Sequence, residues 1–327
     1  MSEIDYGNKL SWAVGKKRVL CMGVSNIDCV SVVNNFPEEN VHEKAISGSW
    51  HRGGSASNNC TVLRNLGVNV EFFGMLSSQP IFQLLIEDMT NRGIIVENCP
   101  MCDLDPPFAN GIMAKSMNTR TLIICNRGFP YVSIEDFRKL NLNNYGWIHM
   151  RALFFDTNIE VLKDIAAFNA TKEEADDKIL VSVEFDHSLE ILFPMLDYCD
   201  YAFFSKQLAM ETGWTSMENA CSQLDERLQM RWGLNLKRPY VIIMWGDQGS
   251  AFMDLNGKYT HSPPYKPKQI VDLLGTGDTF VGAFIYAKYI RDRSLKVSVD
   301  FANRIASYKI TKNGYDHIAN ILLPPIL

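Results

Sequence analysis

Val271-Asp272-Leu273-Leu274-Gly275-Thr276-Gly277-Asp278-Thr279-Phe280 is a glycine-rich turn that runs into a helix. Phe280, Ala283, Phe284 and Ala287 follow at the spacing of one buried helical face. Glycines let the backbone N–H groups of Gly275, Thr276 and Gly277 approach a ligand without obstruction from side chains. A helix N-terminus adds unpaired N–H donors and the positive end of a dipole, which together suit an anion such as a phosphoryl group. Phosphoryl transfer demands positioning, charge stabilisation and a group to orient or deprotonate the attacking hydroxyl, and Asp278 stands where such a group is needed. Taken alone, Gly-x-Gly-Asp also describes an ordinary turn and a helix-capping aspartate, so the meaning of the stretch depends on its surroundings.

Outward from this turn the chain alternates apolar, β-rich runs with helical patterns. Strands are expected at 19–23, 70–75, 147–150, 179–184, 201–204 and 240–245. Pro80 opens a helix with Phe82, Leu85, Ile86 and Met89 on one face and Gly93 as its stop. Ser133 with Asp136 caps a short helix, and 217–232 is amphipathic. This rhythm predicts an α/β fold, a mostly parallel central sheet flanked by helices on both faces. Two stretches break it. Residues 28–51 have a polar middle between β-like flanks, and 111–117 with 121–125 read as strands around a turn at 118–119. They predict a small antiparallel sheet apart from the main one, serving as a flap over a cleft or as a dimerisation surface.

The chain has 327 residues, 46% hydrophobic and 21% charged, the balance of a folded protein. A net charge of −5 argues against nucleic acid as a partner. No run approaches the ~18 apolar residues of a membrane span. The polar start, ending in Lys16, Lys17 and Arg18, lacks the apolar core of a secretory signal and predicts a cytoplasmic location. Eight cysteines do not form a disulfide framework, and the Cys99/Cys102 pair lacks the second pair a zinc site requires.

A second glycine turn, Gly53-Gly54-Ser55-Ala56-Ser57-Asn58, opens another helix with polar side chains crowded at its start. Asp28 follows the first strand, at the end of a sheet where open α/β folds place ligands. Asp28, Ser55 and Asn58 offer the carboxylate, hydroxyl and amide partners a hydroxyl-rich ligand needs. Each is also a common cap or turn residue. Neither a Gly-x₄-Gly-Lys-Ser/Thr loop nor a dinucleotide fingerprint competes with this reading.

Together these segments resemble the ribokinase-like (PfkB) carbohydrate kinase family, and within it the ketohexokinase branch. The likeness runs from about Arg18 to Ile318. It rests on Trp50-His51-Arg52-Gly53-Gly54-Ser55-Ala56-Ser57-Asn58, Asn118-Thr119-Arg120-Thr121, Trp147-Ile148-His149 and Val181-Ser182-Val183-Glu184. Phe204-Ser205-Lys206, the Gly275–Phe280 turn and Gly314-Tyr315-Asp316 complete it. The resemblance implies a single kinase domain over 18–327 after a polar tail, with a β-lid from about 28–51 and 108–126. It implies transfer from MgATP to a sugar, with fructose phosphorylated at its C1 hydroxyl in that branch. Asp278 would be the general base, and the amides of Gly275, Thr276 and Gly277 the anion hole. Asp28, Gly54, Ser55, Asn58 and Arg120 would hold the sugar. Ser205, Lys206, Trp245, Asp247, Gly249, Asn303 and Gly314 would surround ATP with Gly275 and Gly277. Asp272 would belong to a potassium site, and the lid would clasp a second copy in a homodimer.

Some residues depart from the family pattern. Ser55 stands for an asparagine, which shortens a polar contact. Met150-Arg151-Ala152 replaces the usual acidic residue and glycine after His149, so the local charge reverses and could favour an anionic acceptor. Leu273 replaces a threonine beside the cation site, Thr276 an alanine, and His317 a glycine near the nucleotide. Another sugar or a nucleoside as acceptor therefore stays open, as does a member that binds sugar or nucleotide without turnover.

Overall fold

Runs of buried aliphatic residues set the centre of the fold. The computed structural model describes residues 15–117, 119–126, 128–231 and 237–321. Its strands are β1 (Arg18–Met22), β2 (Asn26–Val33), β3 (Ser47–Gly53), β4 (Val70–Phe73), β5 (Leu76–Ser77), β6 (Met101–Cys102) and β7 (Phe108–Ala114). The remainder are β8 (Thr119–Cys125), β9 (Tyr145–Arg151), β10 (Leu180–Phe185), β11 (Tyr201–Ser205), β12 (Tyr240–Met244), β13 (Ser250–Met253) and β14 (Tyr259–Ser262). Eight of them form one sheet in the order β14-β13-β12-β11-β10-β9-β1-β4. From β4 to β12 every pairing is parallel. Successive side chains of β1 enter opposite layers: Leu20 and Met22 join a core with Ile148 and Val183, while Val19 and Cys21 join one with Trp147 and Phe284. A strand buried on both faces has no solvent side for regular polar alternation, which is why β1 and β11 read as largely apolar runs.

All six expected strands lie in this sheet. The β13–β14 hairpin, which extends it antiparallel, was not expected. Its strands are four residues each, too short to give a period. The helix Pro80–Asn91 buries Phe82, Leu85 and Met89, and Gly93 beyond it sits at φ 73°. Ser133 and Asp136 form a reciprocal capping box on Ile134–Phe137. The amphipathic helix runs Met217–Gln229, and its expected end at Trp232 lies outside the described residues. So do residues 1–14 of the tail, Asn118 of the turn and 322–327. Among the described residues no helix is long and apolar enough to cross a membrane.

The second sheet has the order β3-β2-β7-β8 and corrects one expectation. It is mixed rather than antiparallel, because β2 and β7 pair parallel between two antiparallel pairs. The chain leaves this sheet after β3, passes through β4 and the helix Pro80–Asn91, and returns at β7. Only such a long crossover lets two strands run in the same direction. The hairpin is also displaced from its expected position: β7 begins at Phe108 and ends at Ala114, opposite Thr119.

Gly54 joins the two sheets, leading from β3 into the helix Ser55–Asn65 at φ 94°. A Cβ there would lie 2.2 Å from the Val24 carbonyl oxygen and 2.9 Å from Ser25 Cα. Both neighbours are backbone, so neither can rotate away. Gly54→Ala is expected to lower the free energy of unfolding by about 2 kcal/mol or more, read from denaturant titration. A variant as stable as the parent would mean that this entry to the helix can adjust.

Candidate active site

A cleft of ≈ 1170 Å³ lies between the carboxyl ends of the parallel strands and the inner face of the small sheet. From the main sheet, Arg151 closes β9, Glu184 stands near the end of β10, Ser205 ends β11 and Met244 ends β12. Strand alternation turns Arg120, Leu122 and Ile124 of β8 into the cleft, with Asp28 of β2 and His51 of β3. The floor is the start of the helix Thr276–Ile285.

That helix begins at Gly275, held at φ 65° with no side-chain cap. A Cβ on Gly275 would collide with the Tyr315 hydroxyl, whereas one on Gly277 would meet only Glu184 Oε1, at 3.9 Å. The first N–H groups of a helix have no acceptor within it, so the anion-binding end faces open space. Thr276 Oγ1 donates to the Leu273 carbonyl (2.7 Å) and Thr279 Oγ1 to the Gly275 carbonyl (2.8 Å), which fixes the turn.

Asp278 occupies the first turn of this helix. Asn58 Nδ2 donates to its Oδ2 at 2.7 Å, and Asn59 Nδ2 donates to its backbone carbonyl at 2.9 Å. Burial raises the carboxyl above the ordinary aspartate value of 3.8; the Asn58 bond and the Arg151 and Arg120 charges oppose that rise. Glu184 is raised to about 7, through burial and the negative charge of Asp278. Among the described residues its Oε2 has no hydrogen-bond partner. Asp28 is likewise raised by burial, against an Asn26 Nδ2 donor at 2.6 Å and the nearby His51 and Arg52. Three carboxyl groups with elevated proton affinity therefore share one cleft.

The residues expected around a sugar all line the cleft: Asp28, Gly54, Ser55, Asn58 and Arg120. Arg120 reaches across from β8, its Nη1 donating to the Leu273 carbonyl at 3.2 Å. On the other side are Ser205, Lys206, Asp247, Gly249, Asn303 and Gly314. Ser205 caps the helix Lys206–Glu211, and Lys206 Nζ lies 3.5 Å from Asp247 Oδ1. Asn303 holds the chain after β14, donating to Ser262 Oγ at 3.0 Å. Trp245 lies apart from the group: its indole is 5% exposed and packs in the core beneath the cleft. An apolar run that ends in tryptophan fits a core position as well as a ligand contact. Arg151 pairs with Asp186, which offsets part of its charge at the cleft wall. His317 turns inward, its Nε2–H donating to the Lys309 carbonyl at 3.0 Å.

Several lining residues carried no role in the sequence reading. Glu184 sat in a recognised string without a role of its own. Asp186 and His187 follow it in a loop, and Tyr315 sat in the Gly314-Tyr315-Asp316 string without a role of its own. Lys309 is not itself a lining residue and was invisible too, because a lysine near a helix end is usually solvated. Here it is fully buried, with Nζ donating to Asp272 Oδ2 (2.8 Å), the Asp272 carbonyl (3.2 Å) and the Leu274 carbonyl. Burial lowers its proton affinity, and the Asp272 charge restores part of it. These are the oxygens beside Asp272 at which a potassium ion was expected. With the amine already among them, the residues present do not fit that ion.

The same architecture recurs in proteins of known kind. The sequence matches the pfkB family carbohydrate kinase description over residues 16–320. It is 31% identical over 304 residues to ketohexokinase of Mus musculus, covering 93% of this chain and 99% of that one. Ribokinase from Giardia lamblia superposes with a TM-score of 0.77 at 16% identity, covering 93% of this chain and 96% of the other. Arabidopsis thaliana ribokinase complexed with ribose and ATP superposes at 0.74 with 20% identity, covering 93% and 95%. On this match, and on the anion-binding turn and carboxylate around which the cleft is built, the chain belongs to the pfkB family of carbohydrate kinases, ATP-dependent phosphotransferases that act on sugars.

Proposed function

We propose that this chain is a ketohexokinase, transferring the γ-phosphoryl group of MgATP to the C1 hydroxyl of fructose with Asp278 as general base. The observation that carries the reading is the pairing of a buried carboxylate with an open helix start in one turn of chain. In the proposed reaction the sugar hydroxyl loses its proton to the Asp278 carboxylate as its oxygen attacks phosphorus. The bond from phosphorus to the bridging oxygen of ADP breaks, and the new phosphate ester forms. Backbone amides of Gly275, Thr276 and Gly277 face the transferring group and stabilise its charge. Magnesium arrives with the nucleotide and neutralises phosphate charge. Asn58 aims the base, and Arg120 adds positive charge from the small sheet, which acts as a lid over a single kinase domain.

The charge balance of the cleft supports a neutral polyol as acceptor. Arg151, which in the sequence could favour an anionic sugar, is matched by Asp186. Asp28, Asp278 and Glu184 remain to receive hydroxyl donors and would repel a second phosphate. The identity to a mammalian ketohexokinase favours fructose. Ribose is the second reading. Ser55 offers a shorter reach than an amide, and a ribose-binding kinase shares the fold. Eight free thiols favour the reducing cytoplasm.

Self-association through the lid is the reading for its outer face. Trp50 of β3 (60% exposed) and Ile123 of β8 (57% exposed) lie in one cross-strand row with Cys29 and Asn110. Two large exposed apolar side chains on one sheet face suit a partner of the same kind.

An ADP-release assay with MgATP, run against fructose, ribose, glucose, tagatose and adenosine, tests the main reading. Fructose is expected to be preferred, and Asp278→Asn to lower kcat about 100- to 10,000-fold with little change in ATP affinity. Turnover only on another acceptor would sink the fructose assignment, and binding without any turnover would sink the kinase. Activity is also expected to rise with pH through the Asp278 pKa, since the base must be unprotonated. That pKa lies above the ordinary aspartate value, and the Arg120 charge lowers it. Arg120→Met should therefore move the acid limb to higher pH and lower kcat/KM roughly tenfold; an unmoved limb would place Arg120 away from the base. Light scattering of Ile123→Asp is expected to give half the mass of the parent, and equal masses would remove the lid from the interface.

A further inference from the structure

Three acceptors converge on Lys309 Nζ: Asp272 Oδ2, the Asp272 carbonyl and the Leu274 carbonyl. Three acceptors and no donor require three N–H groups. An ammonium supplies that number and a neutral amine does not. The side chain is fully buried and the Tyr315 ring lies 5.1 Å below the nitrogen, a further contact that favours a cation. Asp272 Oδ2 takes a second donor, the Gly314 amide, at 3.0 Å, and Asp272 Oδ1 accepts the Leu274 amide at 2.9 Å. The 272–274 segment is thus bound end to end around one positive charge.

That segment leads directly into Gly275 and the helix start. Leu273, between the two clamped residues, has its carbonyl free to accept from Arg120 and Thr276. Lys309 ends the helix Leu295–Lys309, so the charge is brought in by a rigid element. His317 fixes the Lys309 backbone from behind. Removal of the ammonium would leave the half-buried Asp272 without a counter-charge and two carbonyls turned toward nothing, a costly arrangement.

We propose that Lys309 is a positioning residue whose ammonium is a built-in monovalent cation, holding the anion-binding turn in shape so that this chain binds and transfers phosphoryl groups without potassium. Ammonium and potassium carry the same charge at similar size, and both are satisfied by carbonyl and carboxylate oxygens. The two cannot share this set of oxygens. The inference rests on the kinase reading for its effect on turnover, but its effect on nucleotide binding can be measured independently.

The test compares potassium chloride with N-methyl-D-glucamine chloride at equal ionic strength. Two readouts are followed: calorimetric affinity for a non-hydrolysable MgATP analogue, and ADP release with fructose. The parent is expected to behave alike in both salts. Lys309→Ala, which leaves room for an ion, should lose about tenfold or more in affinity and rate without potassium and recover when potassium or methylammonium is added. Lys309→Met keeps the stem and fills the space, so it should lose the same and not recover. A parent whose nucleotide affinity depends on potassium would overturn the proposal. So would a folded Lys309→Ala that needs no ion or is not rescued by one. Should the alanine variant fail to fold, Lys309→Met decides: affinity equal to the parent refutes the role, and a loss indifferent to salt supports it. Absence of turnover on any sugar, with calorimetry behaving as expected, would count against the kinase reading and leave this one standing.

Discussion

A helix start turned toward a cleft exposes N–H groups that the helix cannot satisfy, and a carboxylate placed in its first turn must be kept reactive without being neutralised. These two demands pull against each other. Amides and dipole favour negative charge at the helix N-terminus. Burial of Asp278, with Glu184 and Asp28 close by, disfavours it. The surrounding architecture resolves the conflict with fixed donors and cations. Asn58 arrives from the helix Ser55–Asn65, Arg120 from the small sheet and Arg151 from β9. The turn itself is held by a buried lysine from the last long helix.

The small sheet matters for the same reason. Strand pairing fixes its register, so that Arg120, Asp28 and His51 fall on the inner face while Trp50 and Ile123 fall on the outer. A one-residue slip would exchange the faces and send the charges to solvent. Gly54 sets the angle at which this sheet meets the main one, because the chain there passes too close to Val24 for any side chain. Geometry of the lid and chemistry of the floor are therefore coupled through a few residues of backbone.

Much of the fold could be read from the chain. The largely apolar runs of β1 and β11 follow from burial on both faces, and Gly275-Thr276-Gly277-Asp278 carries its own geometry in glycines and a following apolar face. Sequence placed the hairpin of the small sheet only approximately and took its central pairing to be antiparallel. Strand direction depends on where a crossover returns, and no local pattern records that. The burial of Trp245 was illegible for a related reason: apolar character at a strand end does not say which side of the sheet the indole enters.

The chain by itself determined the α/β rhythm, the anion-binding turn and the aspartate beside it, because these depend on residue types within a few positions of one another. Tertiary structure alone decided which charges meet. Asp186 pairs with Arg151, the Asp278 charge presses on Glu184, and Lys309, 37 positions after Asp272, reaches back to the oxygens that precede the turn. Such pairings depend on distance in space and on the dielectric of a closed cleft, and both come into being only when the sheets and helices have packed.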